Sequence, residues 1–135
     1  MPAGYSGTPL AKKLGIVDGS VVAVLDEPDE FRSWLDPVPD VDEIRTDLRR
    51  SADVVVAFFT RRAAFERRLD AMSRSIFPAG GLWICWPKKS SGVSTDITED
   101  VVREVALPTG LVDNKVCAVS DVWSGLRVVW RRELR

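Results

Sequence analysis

Histidine is absent from this chain of 135 residues, and only two cysteines and one tyrosine are present. The absence of histidine excludes the commonest general acid–base residue and every histidine-based catalytic triad. With no imidazole ligand and no closely spaced pair of cysteines, the sequence predicts no metal site. Cys85 and Cys117 each lie in an apolar, strand-like segment, which favours buried thiols over reactive ones.

Long apolar runs are also absent. No segment approaches the roughly 20 apolar residues that a membrane-spanning helix needs, and the first residues lack the apolar core of a signal peptide. We therefore expect a cytoplasmic protein with no membrane partner. Because 45% of the residues are hydrophobic, residues 1–135 can form one domain with its own core.

Neither sign of charge is in clear excess. The 19 lysines and arginines nearly balance the 20 acidic residues, which leaves a net charge of −1. Proteins that bind nucleic acids through their backbone are usually basic overall, so this balance disfavours nucleic acid as a partner. A local basic patch stays compatible with it.

Three short apolar segments predict buried strands of a parallel sheet, because each is a continuous apolar run rather than an alternating one. These segments are residues 20–25, 52–59 and 82–86. The clearest helix covers residues 60–77, where apolar side chains recur at helical spacing. Strands that alternate with helices predict an α/β fold: a small Rossmann-like three-layer sandwich with a mostly parallel sheet.

Shorter helices are predicted from capping residues. Residues 8–15 form a short helix with Thr8 as the N-cap, and residues 28–35 form another. A later helix, with acidic residues in its first turn, has two candidate N-caps, Thr95 and Thr98.

Two regions complete the predicted sheet. Residues 41–50 fit either a helix or a short edge strand over 43–46, and we favour the strand because a βαβ arrangement requires one there. Residues 115–119 and 126–130 are two final strands. The short turn between them predicts an antiparallel hairpin at the C-terminal end of the sheet.

Loops that follow parallel strands gather at one edge of the sheet, where ligands of such folds bind. The helix after the third strand and the N-terminus of the first helix should reach the same edge. Lysines, hydroxyl groups, glycines and helix N-termini together suit an anion such as a phosphate or carboxylate. The predicted ligand-binding residues are Ser6, Gly7, Thr8, Lys88, Lys89, Ser90, Ser91, Gly92 and Thr95.

Two alternatives stay open at this edge. Lys88 and Lys89 also fit a solvated loop that binds nothing. Arg61 and Arg62 follow the second strand, and we interpret them as exposed residues of a helix start rather than ligand contacts.

The segment ADVVVAFF, the helix after it and FPAGGLWICWP resemble the second half of class I S-adenosylmethionine-dependent methyltransferases. In that family a strand and helix lead to a Pro-x-Gly-Gly turn and the next strand, and an antiparallel hairpin closes the sheet. The family's cofactor loop follows its first strand and is glycine-rich. This chain departs from that pattern, because residues 25–29 contain no glycine.

Three other segments resemble a family of small bacterial proteins known only as a domain of unknown function. They are GYSGTPLAKKLGI, WPKKSSGVSTDITEDVVRE and LPTGLVDNKVCAVSDVWSGLR, which span residues 4–16, 86–104 and 107–127. This resemblance implies a Rossmann-like domain with no assigned activity. It carries over no catalytic residue.

We expect a non-enzymatic binding or regulatory module for a small anionic, phosphate-bearing metabolite. The absence of histidine and of a recognisable nucleophile–base pair leads to this expectation. The first alternative is a diverged methyltransferase-like enzyme. The second is a structural partner protein, a homodimer included, that acts through its hairpin edge and its tryptophans. The sequence identifies no cofactor.

Overall fold

The computed structural model describes residues 8–135, in which six strands alternate with four α-helices. The strands are β1 (Val21–Leu25), β2 (Glu43–Arg45), β3 (Val54–Phe58), β4 (Gly81–Pro87), β5 (Leu111–Ala118) and β6 (Trp123–Trp130). The helices are α1 (Leu10–Lys13), α2 (Phe31–Trp34), α3 (Arg62–Ile76) and α4 (Glu99–Ala106). Short 3-10 turns cover Lys89–Ser91, Leu107–Thr109 and Arg132–Leu134.

The six strands form one sheet in the order β2-β1-β3-β4-β6-β5. The first four strands in this order are parallel, and β6 pairs antiparallel with both β4 and β5. The predicted fold class is therefore confirmed: this is a Rossmann-like α/β sheet, mostly parallel, with a C-terminal antiparallel hairpin. Within the hairpin, β6 is the strand that joins the parallel part, and β5 forms the edge.

Helices cover both faces of the sheet, which explains why its central strands are apolar throughout. On one face, Val55 and Leu82 pack with residues of α3 and α4. On the other face, Val56 and Trp83 pack with residues of α1 and α2. Neighbouring residues along each strand thus belong to different cores, as the alternation of side chains in a strand requires.

The ambiguous region over residues 41–50 contains the strand β2, as favoured, and β2 pairs in parallel with β1.

The start of the first helix differs from the prediction. Pro9, with φ −57° and ψ 145°, is the N-cap, and no side chain caps the helix. Thr8 is therefore not the N-cap, because the extended backbone of Pro9 delays the helix to Leu10.

Thr98, not Thr95, caps the helix α4. The Thr98 hydroxyl oxygen accepts a hydrogen bond from the Val101 N–H at 3.2 Å. Thr95 instead donates its hydroxyl to the Thr60 carbonyl at 2.7 Å. This bond fastens the loop before α4 to the loop before α3, so Thr95 has a role in positioning loops.

The two thiols are free. Cys85 is buried and Cys117 is half-buried, and burial raises the pKa of both thiols. A raised pKa lowers the fraction of nucleophilic thiolate at neutral pH, so neither thiol is activated.

No helix within residues 8–135 is both long and apolar enough to span a bilayer.

Candidate functional site

A cavity of about 290 Å³ lies where β1 and β3 end. The chain leaves β1 towards β2 on one side and later returns to β3 on the other side of β1. Open α/β sheets bind ligands at such a switch point, outside the carboxyl ends of the strands. We name this space the switch-point cavity. Its lining residues are Asp26, Phe58, Phe59, Thr60, Arg61, Ala64 and Trp123.

Asp26 forms the wall of the cavity that follows β1. Its φ is +54°, which makes it the one non-glycine residue with a positive φ in the part of the chain that the structure describes. Aspartate tolerates this left-handed conformation better than most residues, but the conformation still has an energetic cost. Backbone strain of this kind is concentrated at functional sites. An exposed carboxylate at the end of the first strand suits a ligand cation or hydroxyl group.

Aromatic rings form another part of the cavity lining. Phe58 ends β3, and its ring meets that of Trp123 edge-on, with ring centroids 5.1 Å apart. Trp123 begins β6 and pairs with Pro87, the last residue of β4, so it lies at the same edge of the sheet. Phe31 of α2 also packs edge-on against Phe58, at 5.1 Å. The Phe58 ring thus packs against two other aromatic rings.

Arg61 and its neighbour Arg62 differ in what they contact. Arg62 pairs with Glu104 at 2.8 Å, and this hydrogen bond raises the pKa of the Arg62 guanidinium. The Asp96 carboxylate accepts the Arg62 N–H at 2.7 Å, so an acidic side chain already occupies the N-terminus of α3. Arg61 is exposed, lines the cavity and has no ion pair among residues 8–135. Arg61 is therefore the cation that is available to a ligand.

The predicted residues after β4 lie close to this cavity but do not line it. Lys88 donates its backbone N–H to the Val122 carbonyl at 2.7 Å, which places the loop beside the turn that leads to Trp123. Ser91 donates its hydroxyl to the Lys88 carbonyl at 2.6 Å, and Gly92 is left-handed with φ +76°. The cavity wall that the structure describes includes none of Lys88, Lys89, Ser90, Ser91 and Gly92.

The other predicted residues fall into three groups. Thr95 reaches the cavity indirectly, since it bonds to the carbonyl of Thr60, a lining residue. Thr8 is exposed. Ser6 and Gly7 lie outside the described residues. The switch-point cavity lies at the edge of the sheet to which loop connectivity assigned the ligand, and the predicted contacts of the nine residues stay predictions.

The structure adds residues that the sequence analysis did not assign to the site, above all Asp26, Phe58 and Trp123. Asp26 follows the first strand, so strand connectivity alone places it at this edge. The position of Trp123 could not be predicted from strand connectivity. Trp123 lies at this edge of the sheet only because β6 inserts between β4 and β5. Trp123 and Trp130 are both half-buried and pack against the two cores.

No family model and no curated protein matches the sequence. Solved structures do match. A SAM dependent methyltransferase from Aquifex aeolicus aligns with a TM-score of 0.58 at 14% identity, over 88% of this chain and 86% of that one. Magnesium protoporphyrin IX methyltransferase (ChlM) from Synechocystis PCC 6803 with bound SAH aligns with a TM-score of 0.62 at 10% identity. That alignment covers 90% of this chain and 80% of the other.

These likenesses support the methyltransferase resemblance at the level of the fold. They do not support the resemblance to a family of unknown function, which stays a prediction. They contradict our leading expectation of a non-enzymatic module and favour the methyltransferase-like alternative. That expectation depended on the absence of histidine, and catalysis by positioning two reactants requires no histidine.

Proposed function

We propose that this chain is a methyltransferase-like enzyme that binds S-adenosylmethionine in the switch-point cavity. The observation that carries the proposal is the position of that cavity, at the carboxyl ends of β1 and β3 in a methyltransferase-like sheet. The ChlM structures, one with bound SAM and one with bound SAH, share this fold. When bound, S-adenosylmethionine supplies an electrophilic methyl group.

The lining residues fit this cofactor chemically. S-adenosylmethionine carries an ammonium group, a carboxylate, a sulfonium and ribose hydroxyls, and it has no phosphate. The Asp26 carboxylate would accept hydrogen bonds from the ammonium group or from ribose hydroxyls, and Arg61 would pair with the carboxylate. Phe58 and Trp123 offer an aromatic wall that attracts a cation or an adenine ring.

The loop after β1 lacks glycine, and two observations reconcile this with the proposal. Asp26 adopts the left-handed conformation that glycine would otherwise provide, so the backbone turns there without a glycine. The same loop contributes a negative charge, which would repel a phosphate but favours a cationic ligand. The proposed site therefore binds through charge and aromatic contact rather than through a glycine-rich loop.

Isothermal titration calorimetry with S-adenosylmethionine and S-adenosylhomocysteine tests the proposal. We expect saturable binding by the wild-type chain and about a tenfold loss of affinity in Asp26→Asn, which removes one charge-assisted hydrogen bond. Asparagine tolerates a positive φ as aspartate does, so this change isolates the charge. Asp29→Asn, an exposed residue of the same loop, is the matched control and should bind like the wild type.

Two results of this titration would count against the proposal. If the wild-type chain gave no heat of binding at millimolar concentrations of either compound, the proposal would be refuted. A loss of affinity in a Lys88→Ala, Lys89→Ala variant, with Asp26→Asn unchanged, would move the ligand to the loop after β4.

A further inference from the structure

A second cavity, of about 520 Å³, lies at the opposite edge of the sheet. One wall is the loop that precedes β3, with Arg49, Arg50 and Ser51, and the other is the last part of α3, with Arg74 and Ser75. These segments precede β3 and β4, so they lie at the amino ends of the parallel strands. We name this space the arginine cavity. It shares no lining residue with the switch-point cavity.

A buried arginine fixes the loop wall. Arg45 is 9% exposed, and its guanidinium donates to the backbone carbonyls of Asp47, Arg50 and Ser51. The Ser75 hydroxyl donates to the Arg50 carbonyl at 2.9 Å, which joins the loop to α3. The backbone of both walls is therefore held in place, and a ligand would not have to order it on binding.

The arginine side chains of the cavity are available to a ligand. Arg49 has no side-chain partner among residues 8–135. Arg50 pairs with Glu43 at 3.3 Å and Arg74 pairs with Asp70, but side chains of Arg50 and Arg74 are 74% and 75% exposed. Exposed ion pairs contribute little free energy to stability, so a more highly charged anion can replace these carboxylates as the partner of the arginines. The guanidinium group matches the geometry of phosphate oxygens and binds them in a bidentate manner.

We propose that the arginine cavity binds a diphosphate group. Arginines stand on both walls, and a group with two linked phosphates can contact both, whereas a single phosphate has fewer oxygens to share between them. Ser51 lines the same space and adds a hydroxyl group, whereas the Ser75 hydroxyl is already bonded to the Arg50 carbonyl. The diphosphate can come from inorganic pyrophosphate or from a nucleoside diphosphate. This site is independent of the proposed methyltransferase function.

Calorimetric titration of the full chain with inorganic pyrophosphate tests this proposal. We expect one saturable site that weakens as salt is added, because screening reduces interactions between exposed charges. Arg49→Ala and Arg74→Ala should each lower the affinity about tenfold, the effect of one charge-assisted hydrogen bond. Arg49→Lys keeps the charge but loses the bidentate fork, so it should show a smaller loss.

The matched control is Lys12→Ala, which removes one positive charge from an exposed residue of α1, on the other face of the sheet. It should bind pyrophosphate like the wild type. An equal loss in Lys12→Ala would show a general charge effect and overturn the proposal, as would binding that does not saturate. A titration with adenosine diphosphate separates the two sources: equal affinity assigns the site to the diphosphate alone, and tighter binding assigns it to a nucleotide.

Discussion

Replacing Trp83 with alanine is expected to lower the free energy of unfolding by about 4 kcal/mol. Trp83 lies in the middle of β4 and is fully buried. Its indole N–H donates a hydrogen bond to the Leu14 carbonyl at 2.9 Å, which joins α1 to the central sheet. The substitution would leave a large cavity between α1 and the sheet. It would also leave the buried Leu14 carbonyl without its partner.

Equilibrium denaturation in urea, followed by far-ultraviolet circular dichroism, measures this change. Trp83→Phe is the companion variant, because it keeps most of the ring volume and removes the indole donor. We expect it to lose about 1.5 kcal/mol, mainly for the missing hydrogen bond. A loss below about 1 kcal/mol in Trp83→Ala would mean that α1 is not held to the sheet through this residue.

The environment of Trp83 shows what the sequence could and could not predict. The apolar run over residues 82–86 identified β4 because a strand buried on both faces needs no polar residue. The close approach of Gly125 was not predictable. A Cβ at Gly125 would lie 3.1 Å from the Trp83 ring, so a glycine on β6 makes room for it. Which strand lies beside β4 is settled by tertiary structure, which local sequence patterns do not contain.

Short elements were the least predictable part of the fold. The strand β2 has three residues, and its partial burial gives neither a continuous apolar run nor a clear alternation. Its identification as a strand came from the logic of βαβ connections, and pairing with β1 confirmed it. The short helix α1 begins after Pro9 rather than after Thr8, a difference set by the backbone of one proline.

The edge of the sheet that holds the switch-point cavity was predictable, but the residues that line it were only partly so. Connectivity places Asp26 and Arg61 after their strands. Arg61 is exposed, as its position at a helix start predicted, and it also lines the cavity. Lys88 and Lys89, after β4, were predicted as ligand contacts because of their positive charge. Which loops adjoin depends on the strand order, in which β3 lies next to β1.

The expectation that the chain is not an enzyme does not follow from the absence of histidine. The absence of histidine excludes mechanisms that need an imidazole, and it does not exclude catalysis in general. A site that holds two reactants in line can accelerate a transfer largely through proximity and orientation. The packed aromatic rings and the hydrogen bond between Thr95 and Thr60 suit such a site, because these contacts connect the elements around it.

Replacing Arg45 with alanine is expected to lower the free energy of unfolding by about 3 kcal/mol. Arg45 is a buried charge, and Glu43 and Asp47 lie 3.6 and 3.8 Å from its guanidinium. The larger part of the effect should come from its hydrogen bonds to the loop backbone, since the carboxylates are partly exposed. Removing the guanidinium would take this donor from the carbonyls of Asp47 and Ser51, and the Arg50 carbonyl would keep only its bond from the Ser75 hydroxyl.

A comparison of Arg45→Ala with Arg50→Ala separates the effect of losing these hydrogen bonds from the effect of losing one positive charge. Arg50→Ala removes the same charge from a side chain that is 74% exposed, and we expect it to lose less than about 1 kcal/mol in the same urea denaturation. Arg45→Ala should also weaken pyrophosphate binding, although Arg45 does not line the arginine cavity. Equal losses of stability in the two variants would show that the loop before β3 does not depend on Arg45. The rigidity that we infer for the loop wall of the arginine cavity would then depend on the bond between Ser75 and Arg50 alone.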